Sequence, residues 1–199
     1  MSILIVGSEG AQGKRYRSIL KYLRIPYYCK DIDVIPFEPP THEGIIIATP
    51  TDTHEEVIRE HLRYKVPILI EKPIAKDVGV VEKLFKEAEK AGVQLSMVYQ
   101  YRHLAQRKNT GPSVYNYFRH GNDGLIWDCL QIIGLAKGKV TLAEDSPVWH
   151  CQINGQFLRI EEMDLAYIKE VWDWQAKKTR QTTDEIISIH KKVQEFRLG

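Results

Sequence analysis

The stretch "LIVGSEGAQGKRY", residues 4–16, places an apolar run directly before three glycines spaced as G-x-x-G-x-x-G. An apolar run that enters a glycine-rich turn and continues into a helix is typical of a dinucleotide-binding loop. Glycines let backbone amides approach a pyrophosphate, and the positive end of the following helix attracts the same phosphates. The segment therefore predicts a phosphate-binding turn built from Gly7, Gly10, Ala11, Gln12 and Gly13.

Asp31 is the candidate ribose-binding acid of such a site. It follows Gly13 by eighteen residues and comes directly after the second predicted strand. A carboxylate there accepts hydrogen bonds from the adenine ribose and repels a 2′-phosphate, which favours NAD over NADP. Lys14, Arg15 and Lys30 could each meet a 2′-phosphate, so the sequence leaves NADP open.

The first hundred residues alternate short apolar runs with helical patterns. The runs cover residues 3–6, 27–30, 45–48, 68–70 and 93–98. Between them, Thr53-x-x-Glu56 predicts a capping box, Asp77 predicts a second helix start, and Gly92 predicts the end of that helix. Strands covered on both faces and separated by helices predict a doubly wound, parallel α/β sheet of the Rossmann type.

The pattern changes outside this alternation. Residues 33–44 contain three prolines, which predict an irregular loop in place of a crossover helix. Residues 124–136 predict a short buried helix, and Asn154-Gly155 predicts the turn of a β-hairpin. Two amphipathic helices close the chain, with Thr182-x-x-Glu185 as the cap of the second. Their apolar faces are expected at Leu165, Ile168 and Trp172, and at Ile186, Ile189, Val193 and Phe196.

The net charge, the cysteine spacing and the lengths of the apolar runs limit what the protein is expected to bind and where. The 199 residues carry a formal net charge of +2, which gives no electrostatic reason to expect nucleic-acid or membrane binding. Three scattered cysteines argue against a disulfide framework and against a zinc site. There is no basic leader and no apolar run near the roughly eighteen residues that a membrane span needs. We therefore expect a cytoplasmic protein with reduced thiols.

The glycine loop and three further segments together resemble the Gfo/Idh/MocA family, named after glucose–fructose oxidoreductase and inositol dehydrogenase. "IIIATPTDTHEEVI" is similar to the family's strand and loop beside the cofactor, and "EKPIAKD" resembles its Glu-Lys-Pro signature. "LSMVYQYRH" resembles the Asn-Tyr-Arg stretch that follows. The resemblance covers residues 1–103 and implies a dinucleotide-binding Rossmann domain there. Residues 104–199 would then form a reduced α+β substrate domain with C-terminal helices.

The resemblance also implies an NAD(P)-dependent transfer of hydride to or from a sugar-like or polyol carbon. Lys72 would be the active-site lysine and Pro73 would form its cis-like turn. An ammonium group suits this role because it stabilises alkoxide-like charge on the substrate oxygen. The implied cofactor-lining residues are Thr49, Pro50, Thr51, His54, Glu71 and Lys72. For His54, simple packing or capping is an equally weighted alternative.

The second half departs from the family pattern. The family carries Gly-x-His-x-x-Asp, whereas here Gly124 and Asp128 remain and Ile126 stands near the histidine position. His120 is the nearby substitute base, with a tyrosine as the other candidate, and Asp128 would orient substrate or base. Loss of a positioned base typically costs roughly 10²- to 10⁴-fold in rate. A catalytically decayed dinucleotide sensor or interaction module is therefore the alternative, and a homo-oligomer stays open.

Overall fold

The computed structural model describes residues 2–31, 41–103, 113–116, 140–143, 150–153, 156–157, 160–178 and 181–198. Its centre is a five-stranded parallel sheet in the order β2-β1-β3-β4-β5. The strands are β1 (Ile3–Val6), β2 (Tyr27–Lys30), β3 (Gly44–Ile47), β4 (Ile68–Ile70) and β5 (Leu95–Met97). All four neighbouring pairs run parallel, which confirms the predicted α/β fold.

Five helices accompany the sheet. They are α1 (Ala11–Tyr22), α2 (His54–His61), α3 (Val78–Ala91), α4 (Ile160–Gln175) and α5 (Thr183–Leu198). One face of the sheet packs against buried side chains of α1 and α4, and the other against those of α2, α3 and α5. Short 3₁₀ turns lie at Thr51–Thr53, Leu62–Tyr64 and Gln100–His103. Among the described residues, no helix has the length and apolar character that crossing a membrane requires.

The strands are buried because helices cover both faces. Every residue of β1, β3, β4 and β5 is buried, which explains why these runs do not alternate apolar with polar residues and carry a single polar side chain, Ser96. Helix α3 buries one apolar stripe, formed by Val78, Val81, Leu84, Phe85 and Ala88. The Asp77 carboxylate accepts the Val80 amide at 3.0 Å, and Gly92 ends the helix in the left-handed region, as predicted.

Helix α2 begins at His54 with Thr53 as its N-cap residue, as predicted, but the predicted capping bond was wrong. The Thr53 hydroxyl donates to the Pro50 carbonyl at 2.8 Å and makes no capping bond to α2. A 3₁₀ turn with Pro50 as its N-cap precedes the helix, and the Thr53 hydroxyl bonds to the start of that turn instead of to α2. At α5, by contrast, the Glu185 amide donates to the Thr182 hydroxyl at 3.2 Å, which confirms that cap.

Of the apolar face predicted for α4, only Ile168 is confirmed: it is half-buried and packs against the cluster that contains Val171. Leu165 and Trp172 are 61% and 47% exposed. The face that packs on the sheet instead carries buried side chains from the next positions along the helix, namely Ala166, Tyr167, Glu170, Val171 and Trp174. Helix α4 therefore has two apolar faces, and the one containing Tyr167 is turned towards the sheet. In α5, Ile186 and Ile189 are buried as predicted.

A second, four-stranded sheet has the order β7-β6-β8-β9. Its strands are β6 (Ser113–Asn116), β7 (Val140–Ala143), β8 (His150–Ile153) and β9 (Gln156–Phe157). Strands β8 and β9 pair antiparallel, with Ile153 opposite Gln156, which confirms the hairpin that Asn154-Gly155 predicts. The loop predicted at residues 33–44 falls largely, and the helix at 124–136 entirely, outside the described residues.

Candidate active site at the carboxyl edge of the sheet

The strand order creates a crevice between β1 and β3. The chain leaves β1 for α1 and β2 on one side, while β3, β4 and β5 lie on the other. Ligands of open α/β sheets bind at this switch point, outside the carboxyl ends of the strands. Gly7 follows β1, Thr49 closely follows β3, and Glu71 follows β4, so three of the predicted site segments meet at one edge.

The glycine loop packs too closely against its neighbours to accommodate larger residues. Gly7 has φ +83°, and a Cβ atom there would lie 2.8 Å from the Thr49 amide nitrogen. A Cβ atom on Gly13 would lie 2.1 Å from the Gly7 carbonyl oxygen. At Gly10 the nearest atom would be 3.6 Å away, which is ordinary contact. The fold itself thus requires glycine at positions 7 and 13, whereas position 10 has room for a small side chain.

The start of α1 suits an anion. Gly10 is the N-cap and supplies no side-chain cap, and the first turn contains no acidic residue. Ala11 and Gln12 begin the helix. The first amide groups of a helix lack partners within the helix, and the helix dipole adds positive potential at that end. A phosphate is the natural ligand of such a terminus.

Asp31 lies beside the glycine loop. Its Oδ2 accepts the Glu9 backbone amide at 2.9 Å, and the Gly7 amide donates to the Lys30 carbonyl at 2.8 Å. The carboxylate is thus held at the end of β2, where the sequence predicts the ribose-binding acid. Lys30 pairs with Glu60 at 2.8 Å, and Arg15 donates to Gln12 at 2.9 Å. Two of the three cations considered for a 2′-phosphate are therefore engaged elsewhere.

Thr49 and His54 form the wall opposite the glycine loop. Thr49 is 6% exposed, and its Oγ1 has no hydrogen-bond partner within the described part of the chain. His54 is buried, and its Nδ1 and Nε2 each lie 2.8 Å from a carbonyl oxygen, of Pro73 and Thr49 respectively. Burial lowers the pKa of His54, although both carbonyl contacts and Glu71 oppose that change. His54 thus ties the β3 loop to the Pro73 turn, while the exposed Pro50 and half-buried Thr51 follow Thr49.

Glu71 is anchored from two sides. The Tyr16 hydroxyl donates to Glu71 Oε1 at 2.5 Å, and the Lys72 amide donates to Oε2 at 3.2 Å. Tyr16 is completely buried, and burial followed by the charge of Glu71 raises the pKa of its hydroxyl well above the ordinary value. Tyr16 therefore stays protonated and donates throughout the physiological range. The sequence gives no sign of this pair because 55 residues separate its members.

Lys72 follows Glu71 after β4, at the same edge of the sheet. Its peptide bond to Pro73 is cis, in agreement with the turn that the resemblance implies. The Lys72 Nζ is 5.9 Å from the ring centroid of Tyr167, a residue of α4. Arg15 Cζ lies 4.6 Å from the same centroid. Sequence reasoning missed Tyr167, because it assigned the opposite face of α4 to the core.

A buried carboxylate lies one turn further along α4. Glu170 is fully buried and lies 2.8 Å from Nε2 of His103. Gln181 donates to Glu170 at 3.2 Å and also bonds the Met97 backbone in β5 at both its amide and its carbonyl. This cluster fastens α4 and the segment before α5 to the carboxyl end of β5. The predicted catalytic residues His120 and Asp128 lie outside the described residues.

His190 of α5 supports the turn after Pro73. Its Nδ1 donates to the Ile186 carbonyl at 2.8 Å, and its Nε2 accepts the Ile74 amide at 3.3 Å. Only a neutral imidazole can donate at one nitrogen and accept at the other. Burial lowers the pKa of His190 to about 4. Protonation would break the contact with the turn that carries Lys72.

We therefore expect acid to destabilise the protein through His190. Because the folded-state pKa lies below the ordinary 6.5, this stability is complete above about pH 6.5 and is lost as the pH falls towards 4. The difference corresponds to at most about 3 kcal/mol of unfolding free energy. Urea unfolding between pH 4.5 and 7.5 should show a weaker pH dependence in His190→Gln than in wild type. Lys191→Gln, an exposed neighbour, should keep the wild-type slope, and an unchanged slope in His190→Gln would refute this assignment.

Comparison with known proteins identifies the domain. Residues 3–99 match the family model GFO_IDH_MocA, described as an oxidoreductase family with an NAD-binding Rossmann fold. The Rossmann domain belongs to the Gfo/Idh/MocA family. This confirms the resemblance drawn from the glycine loop and the Glu-Lys-Pro segment. No curated protein sequence matches the chain.

Several solved structures share the fold of this chain. The dehydrogenase MviM from Clostridium difficile is 13% identical with a TM-score of 0.73, and the match covers 100% of this chain and 99% of that one. WlbA from Thermus thermophilus, solved with NAD and UDP-GlcNAcA, is 13% identical with a TM-score of 0.68 over 99% and 94%. The myo-inositol 2-dehydrogenase from Lactobacillus plantarum is 12% identical with a TM-score of 0.68 over 100% and 96%. At these identities the likeness concerns the fold.

Proposed function

We propose that the protein is an NAD-dependent oxidoreductase that transfers a hydride to or from a carbon of a small sugar-like or polyol substrate. The observation that carries the proposal is that Lys72, directly after Glu71 at the end of β4, lies at the same sheet edge as the uncapped start of α1. The family is NAD-binding, and structures of the same fold contain NAD. WlbA was solved with a sugar nucleotide, which agrees with the substrate class proposed here.

The residues of the crevice fit NAD. The uncapped amides at the start of α1 match a pyrophosphate, and Gly10 leaves the space that its close approach needs. Asp31 at the end of β2 matches an adenine ribose that carries free hydroxyls. The buried Thr49 Oγ1 matches a ligand oxygen or amide, since it lacks a partner within the described residues. These are the cofactor contacts that the proposal assigns.

Lys72 provides the electrostatic part of the chemistry. The bound nicotinamide would accept or donate the hydride at its reactive carbon. The Lys72 ammonium would donate a hydrogen bond to the substrate oxygen and stabilise the negative charge that develops there. Glu71 holds the Lys72 backbone amide, and His54 holds the Pro73 carbonyl, so the backbone that carries the lysine is fixed. In the oxidising direction the hydroxyl proton passes to a base, for which we propose His120, oriented by Asp128.

Cofactor choice tests the Asp31 assignment. We expect Asp31→Ala to weaken NAD binding by roughly tenfold to a hundredfold, because hydrogen bonds to the charged carboxylate are lost. NADP binding should be unchanged or stronger, since the repulsion of the 2′-phosphate is removed. Isothermal titration with both nucleotides measures this difference. Asp52→Ala, which removes an exposed carboxylate at the start of α2, is the control, and an equal loss of both nucleotides in Asp31→Ala would contradict the assignment.

The function is tested by combining binding with turnover. The purified protein should bind NADH, seen as a change in its fluorescence and as a rise in the melting temperature. It should then reduce NAD in the presence of at least one member of a panel of polyols, sugars and sugar nucleotides. Binding without turnover on any member would favour the dinucleotide sensor. If the protein binds neither NADH nor NADPH, both the oxidoreductase and the dinucleotide-sensor hypotheses are rejected.

A further inference from the structure

We infer that Tyr167 is a positioning residue for Lys72, so that a C-terminal helix completes the site of the Rossmann domain. This inference rests on the proposed role of Lys72 in the reaction. Tyr167 lies 95 residues after Lys72 and outside the residues that the family model matches. The contact between the Lys72 ammonium and the Tyr167 ring is the juxtaposition that carries it.

The ring is held more firmly than the lysine. Tyr167 is 3% exposed and belongs to the same buried cluster as Val171 and Trp174 of α4. Its ring meets that of Tyr16 edge-on, with centroids 6.3 Å apart and an interplanar angle of 69°. Lys72 by contrast has a long side chain with many rotamers, and ordering it costs free energy. A fixed surface that attracts an ammonium group offsets this cost.

The attraction has a clear physical origin. The face of an aromatic ring is negative, so a cation within about 6 Å of the centroid is stabilised, and more strongly where water is excluded. Lys72 Nζ at 5.9 Å and Arg15 Cζ at 4.6 Å both meet this condition at one ring. Phenylalanine would serve as well, since the effect needs the ring and not the hydroxyl. An aliphatic residue of similar size would fill the space without attracting the cations.

The other fixed point of Lys72 lies on its backbone. The Lys72 amide donates to Glu71, whose second carboxylate oxygen accepts from Tyr16. Tyr16 also touches Tyr167. Backbone and ammonium are therefore positioned by one connected group of α1 and α4 side chains. The consequence is that α4 acts in orienting the reactive group, in addition to covering the sheet.

Nuclear magnetic resonance tests the contact without any assay of activity. Reductive ¹³C-methylation converts each lysine to a dimethylammonium group that keeps its charge, and Lys72→Arg identifies the Lys72 signal by its loss. In the wild type we expect a nuclear Overhauser effect between the Lys72 methyl groups and tyrosine ring protons, together with an upfield shift caused by the ring. In Tyr167→Phe, the ring partner should change from tyrosine to phenylalanine while the upfield shift remains.

Tyr167→Leu should remove both the nuclear Overhauser effect and the upfield shift of the Lys72 methyl groups. Trp172→Leu, on the exposed face of the same helix, should leave the Overhauser effect and the upfield shift unchanged. This variant controls for a general disturbance of α4. If Tyr167→Leu does not fold, the wild-type and Tyr167→Phe spectra still decide the matter. A Lys72 methyl signal at the position of exposed lysines in the wild type, with no ring contact, would overturn the inference.

Turnover then separates this inference from the proposed function. With an active substrate, Tyr167→Leu should lower kcat by roughly twofold to thirtyfold, the range expected for a lost cation–π contact, and Tyr167→Phe should retain wild-type kcat. NADH affinity should stay within about twofold in both variants, because neither Lys72 nor Arg15, the two cations at the ring, is among the cofactor contacts assigned above. Absence of turnover in the wild type would reject the proposed function and leave the spectroscopic result standing. Equal loss of kcat in both variants would overturn the positioning role of the ring.

Discussion

Gly13→Ala should abolish measurable NAD binding and lower the unfolding free energy by about 3 kcal/mol, near the upper end of typical overpacking costs. The added methyl group would lie 2.1 Å from the Gly7 carbonyl oxygen and 2.7 Å from the Ser8 Cα atom. Both neighbours are backbone atoms, so no side chain can turn away to make room. The turn between β1 and α1 must open, and the amides that would hold the pyrophosphate move with it. The midpoint temperature of thermal unfolding should fall by about 10 °C.

Gly10→Ala is the matched control for this substitution. Its methyl group would lie 3.6 Å from the same carbonyl oxygen, so the variant should fold with wild-type stability. Its NAD affinity should nevertheless fall, because the methyl group occupies the space assigned to the pyrophosphate. Wild-type stability and NAD affinity in Gly13→Ala would show that the loop does not adopt this geometry. Equal destabilisation in both variants would show that the loop geometry does not govern stability.

Lys72→Ala should lower kcat by roughly 10²- to 10³-fold, the usual cost of removing a group that stabilises developing negative charge. The NAD dissociation constant should change little, since the pyrophosphate and ribose contacts lie on α1 and β2. Stability should also be close to wild type because the Lys72 side chain is only half-buried. Single-turnover and steady-state kinetics separate the chemical step from binding. The expected pattern is a loss in kcat with a nearly constant cofactor affinity.

Lys76→Ala is the control for Lys72→Ala. Lys76 lies four residues further on, is exposed, and pairs with Asp52 at 2.6 Å. Its removal takes away the same charge from the same loop without touching the crevice. Activity should therefore stay near wild type. Similar losses in the two variants would point to a general effect of charge, and an active Lys72→Ala would remove Lys72 from the mechanism.

The strands and helix starts could be predicted where the nearby sequence contains a single unambiguous signal. β1, β2 and β4 have the predicted bounds, because each is a short apolar run between helix or turn signals. Helix α3 has one apolar stripe, one capping acid and one terminal glycine, which all agree. Helix α4 has apolar residues on two faces, and sequence periodicity alone does not select the one that packs. The sheet selects it, through Tyr167, Val171 and Trp174.

The candidate site could be predicted as far as it is local in sequence. Gly7, Gly13 and Lys72 occupy the turns at which they were expected. Tyr16 and Tyr167 were missed because a tyrosine in a helix gives no sign of which buried carboxylate or cation it will meet. Their contacts join α1 and α4 to the Glu71–Lys72 segment across long stretches of chain. Such contacts follow from the packing of helices on the sheet and are visible only in three dimensions.

A crystal structure of the protein with NAD tests the account most directly. We expect the pyrophosphate to accept hydrogen bonds from the amides at the start of α1, with the adenine ribose hydroxyls on Asp31. The nicotinamide ring should lie in the crevice between β1 and β3 and face the Lys72 ammonium. NAD bound at another surface, or bound with its nicotinamide directed away from Lys72, would contradict the proposed site.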